Sequence, residues 1–201
     1  MKVSIIIPIF NLPDLTRRAL SSIPYDEDLE VLVVDDCSTD DMEDIYAEFE
    51  DRIRLFRNDR NRGTGYSRGL MLDHCKGDYI FGLDNDDYLI TDKFKEAMQQ
   101  LDGTDMVFVN AEVNGGFVLE LNRDTKHTYC AFWSKFVKRD LIGDTRIIDA
   151  SYQDDWFFNE ELMKKTHGEK YTGITAYHYN FPREGSIIWE IEHGVRENRV
   201  E

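Results

Sequence analysis

The chain has 201 residues, of which 41% are apolar and 32% charged, a composition typical of a soluble globular protein with a sizeable core. Its formal net charge is −16, from 40 acidic and 24 basic residues, so we expect it to repel nucleic acid and anionic lipid headgroups. A phosphate-bearing substrate would therefore need a metal ion or clustered arginines at its binding site.

The cysteines and the N-terminus bear on the compartment. Cys37, Cys75 and Cys130 are widely spaced and form no CxxC pair, which argues against a disulfide framework and favours a reducing compartment. The apolar run at the N-terminus is short and is interrupted by Pro8, so it does not fit a secretory signal. No stretch approaches the roughly 20 apolar residues of a membrane span. These features predict a cytoplasmic protein.

Continuous apolar runs alternate with amphipathic segments along the first 110 residues. The runs predict buried strands at residues 3–7, 29–36, 53–58, 78–86 and 105–113. The intervening segments predict helices at residues 11–23, 38–50, 65–75 and 91–101. Ser38 to Asp40 are candidate N-caps of the second helix, and Glu43 could close a capping box on Asp40. The alternation predicts an α/β fold with a doubly wound, mostly parallel sheet.

The second half of the chain is less regular. Its patterns predict a hairpin or short strands at residues 115–133, helices at 134–142, 154–165 and 186–201, and a strand at 173–182. No internal repeat or low-complexity linker interrupts the sequence. We therefore expect a single domain, in which the irregular second half faces the substrate.

In a doubly wound sheet the binding crevice lies at the carboxyl ends of the strands. This rule brings together four stretches, PIFN, DDCSTD, NDRNRG and DNDD. Asp35 and Asp36, which end the second strand, could accept hydrogen bonds from a base or a ribose, or could be purely structural. Arg60, Arg62 and Arg68 lie on or near the third loop and suggest an anion site, although a solvated surface would explain them too.

The acidic cluster DNDD, at residues 84–87, has several possible explanations. A solvated turn is one. An EF-hand is excluded, because the sixth position of its loop needs glycine and is Leu89 here. Asp84 and Asp86 could instead share a hard divalent cation with phosphate oxygens and water. A nucleophilic aspartate of a phosphotransferase fits less well, because such enzymes carry this element in the first strand, with Thr or Val where Tyr88 stands.

A second acidic pair, Asp154 and Asp155, opens the predicted helix at 154–165. Carboxylates at a helix N-terminus are favoured by the helix dipole, which is the structural explanation. The functional explanation is a general base, because a carboxylate beside apolar Trp156 and Phe157 and near a second acid can have a raised pKa. The pair alone does not decide between them.

Seven segments occur in an order that resembles the family-2 glycosyltransferases of GT-A fold: VSIIIPIFN, EVLVVDDCSTD, NRGTGYSRG, GDYIFGLDNDD, FWSKFVKRDLI, YQDDWFFNEEL and YNFPREGSI. The resemblance covers nearly the whole chain. It implies an inverting transferase that moves a sugar from a nucleoside diphosphate, above all UDP, to a hydroxyl of a glycan or lipid-linked acceptor in cell-surface glycan synthesis. It also implies a nucleotide-sugar-binding half, residues 1–110, and an acceptor-binding and catalytic-base half, residues 111–201.

The resemblance further implies roles for individual residues. The donor-binding residues would be Pro8, Phe10, Asn11, Asp36, Arg68, Asp84 and Arg183. Asp36 would contact the nucleobase, Asp84 would lie near the ribose or the waters of the metal, and Arg183 would lie near the phosphates. Asp86 would bind the Mn²⁺ or Mg²⁺ ion that bridges the diphosphate, and Asp155 would be the catalytic base.

The chemistry of a direct displacement agrees with this set of residues. One base is needed to deprotonate the acceptor hydroxyl, and one Lewis acid is needed to stabilise the leaving diphosphate. We expect the acceptor over residues 110–133. Two alternatives stay open at this stage: an aspartate-nucleophile phosphotransferase, and a nucleotide-sugar-binding protein that has lost transfer activity.

Overall fold

The computed structural model describes residues 1–122, 125, 131–147 and 154–195. Its strands are β1 (Val3–Ile9), β2 (Leu29–Asp35), β3 (Arg54–Arg57), β4 (Tyr79–Gly82), β5 (Tyr88–Leu89), β6 (Met106–Val113), β7 (Phe117–Leu119), β8 (Lys135–Lys138) and β9 (Glu169–Tyr179). Its helices are α1 (Pro13–Ser21), α2 (Glu43–Glu48), α3 (Thr64–His74), α4 (Thr91–Met98), α5 (Arg139–Ile142), α6 (Asp154–Lys165) and α7 (Ile187–Glu192). A 3₁₀ turn (Phe132–Ser134) precedes β8. The predictions for Cys130 and for parts of 115–133 and 186–201 lie outside the described residues.

All the described strands belong to one sheet, ordered β3-β2-β1-β4-β8-β6-β9-β5, with β7 paired to β6. The first four of these are mutually parallel. Strand β8 enters antiparallel between β4 and β6, and β9 returns parallel to β6. Six of the nine strands, β1 to β4, β6 and β9, therefore run in one direction. The predicted mostly parallel α/β sheet is confirmed.

Helices cover the sheet on both faces, because side chains along each buried strand alternate between the faces. In β1, Ile5 and Ile7 pack in a core cluster with α1, α2 and α4, whereas Ile6 packs in a second cluster with α3 and α6. Burial on both faces explains why the strand reads as a continuous apolar run. None of the helices in the described part of the chain is long and apolar enough to cross a membrane.

Strand β1 continues two residues beyond the predicted end and contains Pro8. The ladder to β4 stops at the Ile6–Gly82 pair, followed by one hydrogen bond from the Leu83 N–H to the Ile6 carbonyl. The backbone N–H and C=O groups of the odd-numbered residues of β1 point toward β2, as the hydrogen bond from the Asp36 N–H to the Ile9 carbonyl shows. Those of the even-numbered residues point toward β4. Pro8 therefore lacks its N–H on the side where no strand remains to pair with it, which makes it tolerable here.

The helix predicted at 134–142 is wrong in its first half. Residues 135–138 form β8, and only Arg139–Ile142 is helical. Phe136 joins the core cluster on one face of the sheet and Val137 the cluster on the other, which is strand periodicity. The space between β4 and β6 selects an extended chain over the local helical preference.

Candidate functional site

The loop after β1 is tied to the loop after β2 by Asn11. Its Oδ1 accepts hydrogen bonds from the backbone N–H groups of Thr39 (2.7 Å) and Asp40 (3.1 Å), and its own N–H donates to Ser38 Oγ (2.8 Å). The predicted N-caps and capping box are therefore wrong: Ser38 to Asp40 bind the neighbouring loop, and the N-cap of α2 is Met42, which makes no side-chain cap, while the Glu43 N–H donates to Asp41 Oδ1. The prediction that the loops after β1 and β2 meet at the crevice is confirmed by these bonds.

The acidic loop after β4 joins the same assembly through Asn85. Its Nδ2 donates to the Asn11 carbonyl (3.1 Å) and to Thr16 Oγ1 (3.0 Å). Of the remaining predicted nucleotide-lining residues in this segment, Pro8 is buried within β1, whereas Phe10 is 42% exposed at the end of the strand. An exposed ring at a crevice is available to contact a base, so the role of Phe10 stays a prediction.

Asp36 holds the loop that leads into α3. It is 4% exposed. Its Oδ1 accepts from Asn58 Nδ2 (2.7 Å) and the Arg62 N–H (2.8 Å), and its Oδ2 accepts from the Gly63 N–H (2.7 Å). These bonds occupy three of the roughly four acceptor positions of a carboxylate. Asp36 thus holds the loop before α3 in place, and the predicted contact with the nucleobase would have to use the one acceptor position that these three bonds leave.

The three arginines near the third loop divide into different roles. Arg68, on α3, is buried, and its Nη2 lies 2.7 Å from Asp84 Oδ1. Its guanidinium also lies 5.1 Å from the centre of the Phe132 ring. Arg62 instead pairs with Asp59 at 2.8 Å, and Arg60 is exposed. Only Arg68 therefore reaches the acidic loop.

Asp86 is held on both its side chain and its backbone. Arg183 Nε lies 2.8 Å from Asp86 Oδ2, and the two side chains are 20% and 22% exposed. Arg18 Nη2 donates to the Asp86 carbonyl at 2.7 Å while the guanidinium stacks on Tyr88, 4.7 Å from the ring centre. Burial raises the pKa of Asp86, the nearby Asp84 charge raises it further, and Arg183 opposes both. A bound cation would favour the ionised form.

Asp87 has a structural role that the sequence did not reveal. It is 1% exposed, and it accepts hydrogen bonds from the Tyr177 hydroxyl (2.6 Å) and the Asn180 N–H (2.8 Å). Burial, together with the charges of Asp86 and Asp84, raises its pKa well above the usual range. Sequence analysis assigns Asp87 no role beyond its place in the acidic cluster, whereas in the structure it connects the acidic loop to the end of β9.

Asp155 lies on the first turn of α6, where its Oδ1 accepts from the Trp156 N–H at 2.9 Å. Helix α6 packs on the crevice through Phe158, whose ring centre lies 5.6 Å from that of Phe132, the ring beneath Arg68. Burial raises the pKa of Tyr179, and the charges of the acidic loop and of Asp155 raise it further. The charges of Asp155 and of the acidic loop therefore both act on Tyr179, and the role of Asp155 as base stays a prediction.

The residues present fit a hard divalent cation. Mg²⁺ and Mn²⁺ prefer carboxylate oxygens, and Mg²⁺ is commonly held by one or two carboxylates plus substrate phosphates. Asp84 and Asp86 keep side-chain exposures of 29% and 22%, so both can be reached from the crevice. Within the described ranges, no group of three or more acidic, His or Cys residues could hold a metal. Phosphate oxygens and water would therefore have to complete the coordination shell.

The family model for glycosyl transferase family 2 matches residues 4–163. Because the match extends over more than half of the chain, the chain belongs to this family. The resemblance inferred from the ordered motifs is thereby confirmed.

Two relatives show how the family is used elsewhere. Staphylococcus aureus poly(ribitol-phosphate) β-N-acetylglucosaminyltransferase TarS is 26% identical over 211 residues, which cover 92% of this chain and 36% of that protein. The Campylobacter jejuni GalNAc(5)-diNAcBac-PP-undecaprenol β-1,3-glucosyltransferase is 34% identical over 188 residues, covering 87% and 57%. This chain thus spans only about a third to somewhat over half of the length of these relatives.

Solved structures share the fold. The crystal structure of S. aureus TarS 1–349 in complex with UDP-GlcNAc gives a TM-score of 0.81 at 22% identity, over 92% of this chain and 60% of that one. The mannosyltransferase PcManGT of Pyrobaculum calidifontis, in complex with GDP-Man and Mn²⁺, gives 0.73 at 19% identity, over 96% and 60%. The predicted GT-A fold is confirmed.

Proposed function

We propose that this chain transfers a sugar from a nucleoside-diphosphate donor, UDP-sugar in the first place, to a hydroxyl of a glycan or lipid-linked acceptor, with inversion at the anomeric carbon. One observation carries the proposal: Asp84 and Asp86 lie where β4 ends at the crevice edge of the sheet, and each is paired with an arginine. The UDP-GlcNAc complex of TarS and the lipid-linked substrate in the name of the Campylobacter relative support this choice of donor and acceptor.

The proposed mechanism uses the charges already arranged in the crevice. Arg68 and Arg183 would attract the diphosphate, and Asp36 and Phe10 would receive the base. A divalent cation bound at Asp86 and near Asp84 would supply Lewis-acid stabilisation of the leaving diphosphate.

Asp155 would take the proton of the acceptor hydroxyl as that oxygen attacks the anomeric carbon. The new glycosidic bond would form while the bond from the anomeric carbon to the phosphate oxygen breaks, with both electrons leaving on the diphosphate. A single base completes this step, and no carboxylate of the chain becomes covalently linked to the sugar. The configuration at the anomeric carbon is therefore inverted.

The experiment is a donor screen that needs no acceptor, because such transferases can pass the sugar to water. Purified protein is incubated with Mn²⁺ and UDP-, GDP- or dTDP-sugars, and release of the nucleoside diphosphate is measured. We expect one donor class to be hydrolysed, and Asp155→Asn to slow release by about 100-fold or more, since a positioned base contributes on that order. Binding of the same nucleotide should be unchanged in this variant.

Glu160→Gln is the matched control, because Glu160 is an exposed carboxylate on the same helix; its rate should equal that of the wild type. An Asp155→Asn variant with wild-type activity would exclude Asp155 as the base. Hydrolysis of no donor, together with phosphate trapped on an aspartate, would favour the phosphotransferase. Nucleotide binding without any hydrolysis or transfer would favour a binding protein that has lost activity.

A further inference from the structure

The hydroxyl of Tyr177 lies between two residues of the acidic loop. Tyr177, on β9, is fully buried. Its Oη accepts a hydrogen bond from the Asp84 N–H (3.2 Å) and donates one to Asp87 Oδ2 (2.6 Å). The loop itself is a tight turn, closed by a bond from the Asp87 N–H to the Asp84 carbonyl (3.1 Å). One hydroxyl is therefore hydrogen-bonded to both ends of the turn that carries Asp86.

The chain that follows Tyr177 holds the same turn at further points. The Asn180 N–H donates to Asp87 Oδ1 (2.8 Å), and Asn180 Nδ2 donates to the Asp86 carbonyl (3.1 Å). Arg183 then reaches the Asp86 carboxylate. The end of β9 thus contacts the turn at Asp84, Asp86 and Asp87.

The hydrogen bonds from Tyr177 and Asn180 act against the repulsion between the carboxylates of the turn. The turn carries three carboxylates within four residues, which repel one another when ionised. The repulsion would push the turn open unless its shape were fixed by other contacts. The Tyr177 hydroxyl and the Asn180 N–H donate to the Asp87 carboxyl in a place that water does not reach, where hydrogen bonds are stronger than in water.

We propose that Tyr177 is a positioning residue for the diphosphate site, and that Asp87 acts with it: together they hold Asp84 and Asp86 in the spacing that receives the cation and the diphosphate. This inference rests on the proposed function. Tyr177 is fully buried, and among the described residues its hydroxyl is hydrogen-bonded to Asp84 and Asp87 of the turn, so we assign it a positioning role and no contact with substrate. Its effect should therefore appear in the affinity for metal and nucleotide, beyond any effect on stability.

The chain offers a matched control in Tyr79. Its hydroxyl is bonded in the same way, donating to the Thr104 carbonyl (2.8 Å) and accepting from the Gly103 N–H (3.0 Å). Tyr79 is 1% exposed and begins β4, at the end of the sheet opposite the crevice. Tyr79→Phe and Tyr177→Phe each remove one hydroxyl with two hydrogen bonds, but only Tyr177 touches the acidic turn.

The experiment compares UDP binding by calorimetry, with Mn²⁺ and with EDTA, in the wild type and the two variants, after urea unfolding has measured their stability. We expect both variants to lose stability, and Tyr177→Phe alone to weaken Mn²⁺-dependent UDP binding by about tenfold, the equivalent of one net hydrogen bond. Tyr79→Phe should stay within about twofold of the wild type. Equal UDP affinity in the wild type and Tyr177→Phe, or equal losses in the two variants, would overturn the inference.

Asp87→Asn provides a second route if Tyr177→Phe folds poorly. Asp87→Asn should also weaken Mn²⁺-dependent UDP binding. Where Tyr177→Phe folds, the Tyr177→Phe/Asp87→Asn double variant should lose little more UDP affinity than the weaker-binding single variant, because both changes break one network. Fully additive losses would contradict a shared role. Failure of the wild type itself to bind any nucleoside diphosphate would instead refute the proposed function, and the positioning role with it.

Discussion

The pair of Arg68 and Asp84 allows a stability prediction to be worked from the structure. The two groups lie 2.7 Å apart, with side-chain exposures of 7% and 29%. Removing one partner of a fully buried pair costs about 3–5 kcal/mol, because the other charge is left without compensation. Asp84 is partly exposed, so water replaces some of the lost interaction, and we expect Arg68→Met to cost about 2–3 kcal/mol. Methionine keeps an unbranched apolar side chain beside the Phe132 ring, but it loses the guanidinium contact with that ring together with the ion pair.

The assay is urea unfolding of the wild type, Arg68→Met, Asp84→Asn and the double variant. In the double variant no charge is orphaned, so its loss should be smaller than the sum of the two single losses, by about 1 kcal/mol or more. Arg68→Lys should fall between the wild type and Arg68→Met, because an ammonium keeps the charge but not the planar fork. A stability of Arg68→Met within about 0.5 kcal/mol of the wild type, or strict additivity, would refute the reasoning.

Two further predictions concern the loops and the pH dependence. Asn11→Ala removes the acceptor for the backbone N–H groups of residues 39–40, at a position whose φ is 58°. It should lower the free energy of unfolding in urea by about 1–2 kcal/mol and weaken UDP binding. Asn11→Asp keeps the acceptor and should retain stability, so equal losses in the two variants would contradict this. Burial raises the pKa of Glu30, but hydrogen bonds from Ser4 and from the amides of Lys76 and Gly77 outweigh it, so the pKa lies below its usual value. That stabilisation is full above about pH 4.3, the unfolded value, and is lost as the pH falls through the lower folded pKa. Glu30→Gln should thus cost about 1–2 kcal/mol at pH 7 and clearly less at pH 3, whereas the same loss at both pH values would contradict it.

Local patterns predicted the fold well where burial on both faces leaves a strong signal. The first strand reads as an unbroken apolar run because Ile5 and Ile6 each enter a different core cluster. Strand–helix alternation then predicted parallel order, and the crevice rule placed four separate stretches together. The contacts of Asn11 with residues 38–40 and with Asn85, and of Asp36 with the Arg62 N–H, confirm that these stretches meet.

What the sequence did not reveal depends on partners far along the chain. Residues 135–138 have a helical local pattern, and only the gap between two distant strands makes them extended. The hydrogen bond of Asp87 with Tyr177 could not be inferred from local sequence, because the two residues lie 90 positions apart. Asn180 lies inside the quoted segment YNFPREGSI beside the predicted Arg183, but nothing in that segment identified the Asp86 carbonyl as the partner of Asn180. Arg18 gave no signal beyond its place on an amphipathic helix.

Calorimetric titration of UDP into the protein, with Mn²⁺ and then with EDTA, tests the proposed donor site most directly. The arrangement of Asp84, Asp86, Arg68 and Arg183 predicts that UDP binds with Mn²⁺ present, that chelation weakens the binding by at least about tenfold, and that Asp86→Asn removes the metal-dependent part, because it deletes an anionic ligand. If UDP, GDP and dTDP all failed to bind in the presence of Mn²⁺, the chain would not carry a nucleoside-diphosphate site. If UDP bound equally well with EDTA and in Asp86→Asn, the acidic turn would not hold a metal.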